Sequence, residues 1–184
     1  PYECYLYVMR DENEERVPEC EPAISTSAHY SYNYSNFIIK GRWEMGEAAI
    51  ATDPHHSYLY AKDVLLGRFP EGEETISKSV QWSCQYAIDV IRGRFELGED
   101  AIAEDAKHSY EYAVDVIDGR FEKGEERMFA SQAFFSATSY GDLYREFLNE
   151  KQLEEQREKE EWQADYDDHF SISDNKIVKE SQGS

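Results

Sequence analysis

The chain has 184 residues, 39 acidic against 19 basic, giving a net charge of −20 at pH 7 and a mean hydropathy of −0.78. That length suits one domain, or one domain with a tail, and no apolar run approaches the roughly 20 residues of a membrane-spanning helix. The acidity argues against a partner held by its phosphates and against an anionic membrane surface, while 14 tyrosines are too many for a wholly disordered acidic chain.

No charged-then-apolar leader opens the sequence. The three cysteines, Cys4, Cys20 and Cys84, include no C-x-x-C pair. The expectation is a cytoplasmic protein with reduced thiols, no disulfide framework and no zinc site.

Residues 1–28 read as a degenerate capping repeat, because residues 16–24 fall in register with 42–50, with Glu15 standing where the next unit has Gly41. The full repeat spans 29–128. The triplet Gly-Arg-aromatic recurs at Gly41-Arg42-Trp43, Gly67-Arg68-Phe69, Gly93-Arg94-Phe95 and Gly119-Arg120-Phe121, 26 residues apart each time. A Gly-Glu pair follows each triplet at Gly46-Glu47, Gly72-Glu73, Gly98-Glu99 and Gly124-Glu125, and then comes Ile50, Ile76, Ile102 or Met128. Such self-similarity is the mark of a repeat architecture.

Each unit reads as two helices. Ser57, Tyr60, Ala61, Val64 and Leu65 lie at i, i+3, i+4, i+7 and i+8, one apolar stripe of an amphipathic helix over 55–66. Val64, Val90 and Val116 are therefore expected to be buried between repeats. Gly67 then ends the helix, since glycine accepts the left-handed conformation that follows a helix terminus; Gly41, Gly93 and Gly119 hold the same place. Pro70 opens a short second helix over about 70–78 that buries mainly Ile76, with Glu71, Glu73 and Glu74 in its first turn. Helices this short do not stand alone in water and must stack on their neighbours. The expected fold is all-α, a right-handed solenoid of short α/α repeats with a C-terminal helical extension. The run Tyr-Ala-x-Asp-Val-Ile/Leu-x-Gly-Arg-Phe at 60–69, 86–95 and 112–121 resembles short helical repeats of tailed-bacteriophage proteins. The likeness covers about residues 30–128; it implies a phage origin and carries no activity.

Residues 129–162 read as a capping segment and an extended helix. Ser139 precedes Asp142 by three, a capping-box-like start, and Leu143, Tyr144, Phe147 and Leu148 form the apolar face. Residues 163–184 read as an acidic, partly disordered tail, and Trp162 just before it makes one stripe with Tyr166 and Phe170 if the helix persists.

Four features are candidates for function. Arg42, Arg68, Arg94 and Arg120 can form an anion-binding ladder, or pair with Asp63, Asp89 and Asp115 or with Glu47, Glu73, Glu99 and Glu125; pairing is the preferred reading for a residue repeated once per unit. Tyr34, Tyr60, Tyr86 and Tyr112 can stack bases only beside a positive groove, so core packing with hydroxyls at the edge of the stack is expected. His29 and His55 share one register position, where adjacent repeats could bring them together as a metal pair, and His56 and His108 share the next. With no carboxylate at ligand spacing, surface histidines are expected and neither a metal nor a cofactor is called for. No nucleophile elbow, phosphate loop or zinc-protease helix is present, so an enzyme is not expected.

The fourth feature is charge. Residues 67–92 carry a net −1 and residues 93–118 a net −6, although both build the same unit. Glu96, Asp100, Glu104, Asp105, Glu111, Asp118, Glu122 and Glu126 are the expected partner-binding face, and Asp100, Glu104, Asp105, Glu111 and Asp118 look placed by something other than the repeat. The expected function is binding a basic protein surface, in its sharp form as a viral DNA mimic that inhibits a host DNA-binding or defence protein in the host cytoplasm. The alternatives are a scaffold that binds by shape and a small-ligand sponge built on the Arg and Tyr ladders.

Overall fold

The computed structural model describes residues 1–10, 15–131 and 138–181, with the backbone alone for Met9 and 167–181. Every regular element among the described residues is helical. The first, α1 (Tyr2–Arg10), and α2 (Glu21–Ile24) precede four pairs: α3 (Ala28–Asn33) with α4 (Glu44–Ile50), α5 (Pro54–Leu59) with α6 (Pro70–Ile76), α7 (Val80–Tyr86) with α8 (Glu99–Ile102), and α9 (Ala106–Tyr112) with α10 (Glu122–Ala130). The partners of each pair pack on each other. In addition α3, α5, α7 and α9 pack in succession, as do α2, α4 and α6, then the 3-10 turn Glu96–Gly98 that leads into α8, and α8 with α10. The chain up to Asp142 is one compact unit, and residues 143–184 form a second.

The four longer helices do not end as α-helices. Tyr34–Ile39, Tyr60–Leu65, Ala87–Ile91 and Ala113–Ile117 continue them as π-helix. The wider turn breaks the 3.6-residue phase on which the stripe was drawn. Ser57, Tyr60 and Ala61, ahead of the break or at it, are fully buried. Val64, Val90 and Val116 lie beyond it and are only half-buried, contrary to expectation.

The π-segments end in a left-handed residue, but that residue is not the glycine. Lys40, Leu66, Arg92 and Asp118 have φ of 55°, 51°, 54° and 51°, and no described glycine has positive φ. Gly41, Gly67, Gly93 and Gly119 come one residue later. Gly67 donates its N–H to the Ala61 carbonyl at 3.0 Å, the same acceptor that Leu66 uses. A Cβ at Gly67 would meet nothing closer than 3.8 Å. The glycines that sterics demand are the second set. A Cβ on Gly72 would lie 2.6 Å from a Phe69 ring carbon and 2.7 Å from Ser57 Cβ. Ser57 itself is buried and donates to the Ile50 carbonyl at 2.9 Å, so α5 and α6 cross backbone to backbone.

The core follows the repeat. Ile24, Ile50, Ile76, Ile102 and Met128 are completely buried, as are Tyr34, Tyr60, Tyr86 and Tyr112. Val8 of α1 holds the register position of those tyrosines and is equally buried, clustering with Ile24, Tyr34, Ile38 and Trp43. The last helix, α11 (Tyr140–Ser181), begins at the expected capping box: Asp142 donates its N–H to Ser139 Oγ at 3.2 Å, and Ser139 donates to Asp142 Oδ2. It runs as helix to Ser181, well past the boundary expected at 162. Trp162 and Tyr166 stack at 5.3 Å; the Phe170 side chain lies outside the described residues.

Candidate functional site: the repeat clasp and the acidic surface

The repeated arginine is committed inside the protein. Arg68 Nε and Nη2 donate to Glu73 Oε1 and Oε2, both at 2.7 Å. Arg42 with Glu47 and Arg120 with Glu125 repeat the charge-assisted fork, while Arg94 brings both Nε and Nη2 to Glu99 Oε1. The degenerate first unit makes it as well, with Arg16 on Glu21 at 2.9 and 3.2 Å. The glutamate five residues on, not the aspartate of the long helix, is the partner. Asp63 and Asp89 instead accept the hydroxyls of Tyr32 and Tyr58 from the preceding unit.

Each buried glutamate takes one more bond, and this one crosses to the next repeat. The Tyr60, Tyr86 and Tyr112 hydroxyls donate to Glu47, Glu73 and Glu99 at 3.0, 2.9 and 3.2 Å. The same hydroxyl oxygens accept the backbone N–H of Trp43, Phe69 and Phe95 at 2.8–2.9 Å. The tyrosine hydroxyls are thus internal, and not at the edge of the stack. Burial first, and then the hydrogen bond to a carboxylate or that carboxylate's charge, pushes the Tyr34 and Tyr112 phenols up to about 12. The Arg68 hydrogen bond holds Glu73 below the usual carboxylate range despite its burial.

The expected acidic face divides into two sets. Asp105 is a helix cap: its carboxylate accepts the His108 N–H at 3.0 Å at the start of α9, as Asp53 does for α5 and Ser79 for α7. Its placement belongs to the repeat after all. Asp100 pairs with Lys123 at 2.7 Å, Glu111 pairs with Lys107 at 3.4 Å, and Asp118 occupies the left-handed position. Glu96, Glu104, Glu122 and Glu126 are exposed and make no ion pair among the described residues. Asp100, Glu104 and Glu126 border one shallow depression together with Lys123 and Arg127.

The histidines come together differently from expectation. His29 meets His56, not His55, with Nδ1 to Nε2 at 3.2 Å. A carboxylate does stand at ligand spacing: Asp53 Oδ1 lies 2.6 Å from His56 Nδ1. Asp53, His55 and His56 offer ligand atoms within 4.8 Å of one another. The offset of 27 between His29 and His56 had no signal in a 26-residue register.

Cys4, Cys20 and Cys84 are free thiols. Cys84 takes the register position of Tyr32 and Tyr58, and burial pushes its thiol up to about 12, far from nucleophilic use. No family model, curated protein or solved structure matches the chain.

Proposed function

We propose that the chain is a non-enzymatic binding protein that presents an acidic surface to a basic surface on another protein. The division of charge supports this reading. The repeated arginines neutralise glutamates set into the stack, Glu99 having a side chain only 3% exposed. Those cations, although their side chains are 54–62% exposed, are matched to the clasp glutamates, and Glu96, Glu104, Glu122 and Glu126 stand exposed with no ion pair among the described residues. A total of −20 exceeds the roughly 2–8 charges that solubility asks of a small domain and costs stability by self-repulsion. In its sharp form the repeat stack imitates the charge line of duplex DNA, about one charge per 1.7 Å of axis, and the partner is a nucleic-acid-binding or defence protein of a host cell.

One observation favours a scaffold that binds by shape. Lys62, Asp63, Leu66, Asp89 and Arg92 line a depression of about 690 Å³ with both signs of charge, and Leu66 is 82% exposed at its rim.

Capture of partners from host lysate at low and moderate ionic strength separates the two, followed by the triple variant Glu104→Lys, Glu122→Lys, Glu126→Lys. Charge-led binding weakens steeply with salt, is slowed in the variant and is displaced by duplex DNA. Binding that ignores salt and the triple variant overturns the acidic reading and leaves the scaffold.

A further inference from the structure

The junction between the first two complete repeats holds a chain of side chains that the clasp does not use. Asn33 Nδ2 lies 3.1 Å from His29 Nε2, His29 Nδ1 lies 3.2 Å from His56 Nε2, and His56 Nδ1 lies 2.6 Å from Asp53 Oδ1. With the Asn33 amide placed as donor, the hydrogen bonds run one way along the chain: Asn33 donates to His29, His29 to His56, and His56 to Asp53. A metal ion takes the place of the hydrogen between the two imidazoles when the His29 proton moves from Nδ1 to Nε2 and the Asn33 amide turns to accept it there with its oxygen.

The spacing suits that replacement. A tetrahedral zinc ion with bonds of about 2.0–2.1 Å to nitrogen sets its ligand atoms about 3.3 Å apart, and the two imidazole nitrogens are 3.2 Å apart. Asp53 does for His56 what an orienting carboxylate does for a metal-bound histidine: it takes the far N–H and aims the other nitrogen. Asp53 is itself fixed by the backbone N–H of His56, at 2.8 Å. His55 brings a third nitrogen within the 4.8 Å envelope it shares with Asp53 and His56. Its ring stacks on the Trp82 ring of the next unit, with centroids 4.4 Å apart.

The junction two repeats on supplies an internal control. His108 and Asp105 repeat the same 2.6 Å contact, but Gln81 stands at the register position of His29 and Lys107 at that of His55. The aspartate–histidine contact is therefore part of the cap, and only the 29–56 junction adds two further imidazoles to it.

We infer that His29, His56 and His55, with Asp53 as the orienting carboxylate, bind a divalent transition ion of zinc type as a staple between the α3 and α5 repeats. Imidazole selects zinc, nickel and copper over magnesium and calcium. A bound ion holds two adjacent units and so raises the stability of the folded form. This reverses the expectation of surface histidines and is independent of the acidic-surface reading.

The test titrates zinc chloride into the metal-free full chain by calorimetry, with excess magnesium present to occupy the surface carboxylates, and follows Tm in parallel. One saturable equivalent and a raised Tm are expected. His29→Gln, which copies the residue at position 81, abolishes that step with the helical spectrum unchanged. Asp53→Asn keeps the helix cap and weakens zinc by about 10–100-fold. His108→Gln leaves the affinity unchanged. No saturable zinc in the wild-type chain overturns the site, as does wild-type affinity in His29→Gln or lost affinity in His108→Gln.

Discussion

Tyr86 Oη sits between two repeats, accepting the Phe69 backbone N–H at 2.8 Å and donating to Glu73 at 2.9 Å. One hydroxyl therefore satisfies a buried amide and orders the carboxylate that Arg68 grips from the solvent side. The aromatic of the triplet, the arginine beside it and the glutamate five residues on form one device, and the tyrosine of the following unit closes it.

Removing that hydroxyl leaves the Phe69 N–H buried with no partner. An unsatisfied buried donor costs about 1–3 kcal/mol. Tyr86→Phe is expected to lower unfolding stability by that amount in urea, whereas Tyr2→Phe, at an exposed position, is expected to change it by less than about 0.5 kcal/mol. Equal effects at the two sites would show that the clasp contributes nothing.

The two glycines of a repeat are expected to behave in opposite ways. Gly72→Ala drives a Cβ to within 2.7 Å of Ser57 and the Phe69 ring and forces α5 and α6 apart, a loss of about 1–3 kcal/mol. Gly67→Ala meets nothing closer than 3.8 Å and has no left-handed backbone to strain, so it stays within about 1 kcal/mol of wild type. Thermal melts of the two variants decide the matter.

Leu66 carries the strain that the sequence assigns to Gly67. It holds φ at 51° and is 82% exposed, so its side chain gains little from burial. A left-handed non-glycine residue costs about 1–2 kcal/mol. Leu66→Gly is expected to raise the melting temperature despite removing a large apolar side chain; a lowered one would show that Leu66 packs in solution.

These cases also show what was readable in the residues. The 26-residue period, the two-helix unit and the pairing of each arginine with an acidic side chain follow from side chains that recur in register, because each must meet its partner once per unit; the choice of glutamate over aspartate does not. The π-turn did not show. It is a backbone choice that begins at Tyr34, Tyr60, Ala87 and Ala113, and the left-handed residue after it is Lys40, Leu66, Arg92 or Asp118, two cations, an apolar side chain and an acid with no shared signal. The cap role of Asp105 was readable from the series Ser27, Asp53, Ser79, Asp105, all of them cap formers in one register. Charge counting hid it. The unpaired outer carboxylates had to be separated from the clasp glutamates by burial, which composition does not report.

The last prediction concerns pH, where the clasp has two opposite limits. On the acid side Glu73 is held low, by the Arg68 hydrogen bond first and the Tyr86 hydroxyl as well, against its own burial. A depressed carboxylate contributes stability that is complete above its unfolded value of about 4.3 and is lost as pH falls through its folded value. On the alkaline side the phenols are raised, Tyr34 and Tyr112 to about 12, chiefly by burial. A raised phenol contributes stability that is complete below its unfolded value of about 10 and is lost as pH rises through the folded one. Two further groups narrow the plateau: burial holds His55 below its ordinary value and pushes the Cys84 thiol up, so the stability of the stack is expected to be flat between about pH 7 and 8, to fall below that range through His55 and then Glu73, and to fall above it through Cys84 and then, between about pH 10 and 12, through the phenols. Urea midpoints across pH, read with tyrosinate absorbance, give the check. Exposed tyrosines such as Tyr2 and Tyr7 should ionise first without loss of helix, and the clasp tyrosines only together with unfolding. Tyr112→Phe should shift the alkaline limb upward in pH while lowering stability at neutrality, because it removes both the ionising group and its hydrogen bonds. An alkaline limb that does not move in Tyr112→Phe would place the high-pH failure elsewhere in the chain.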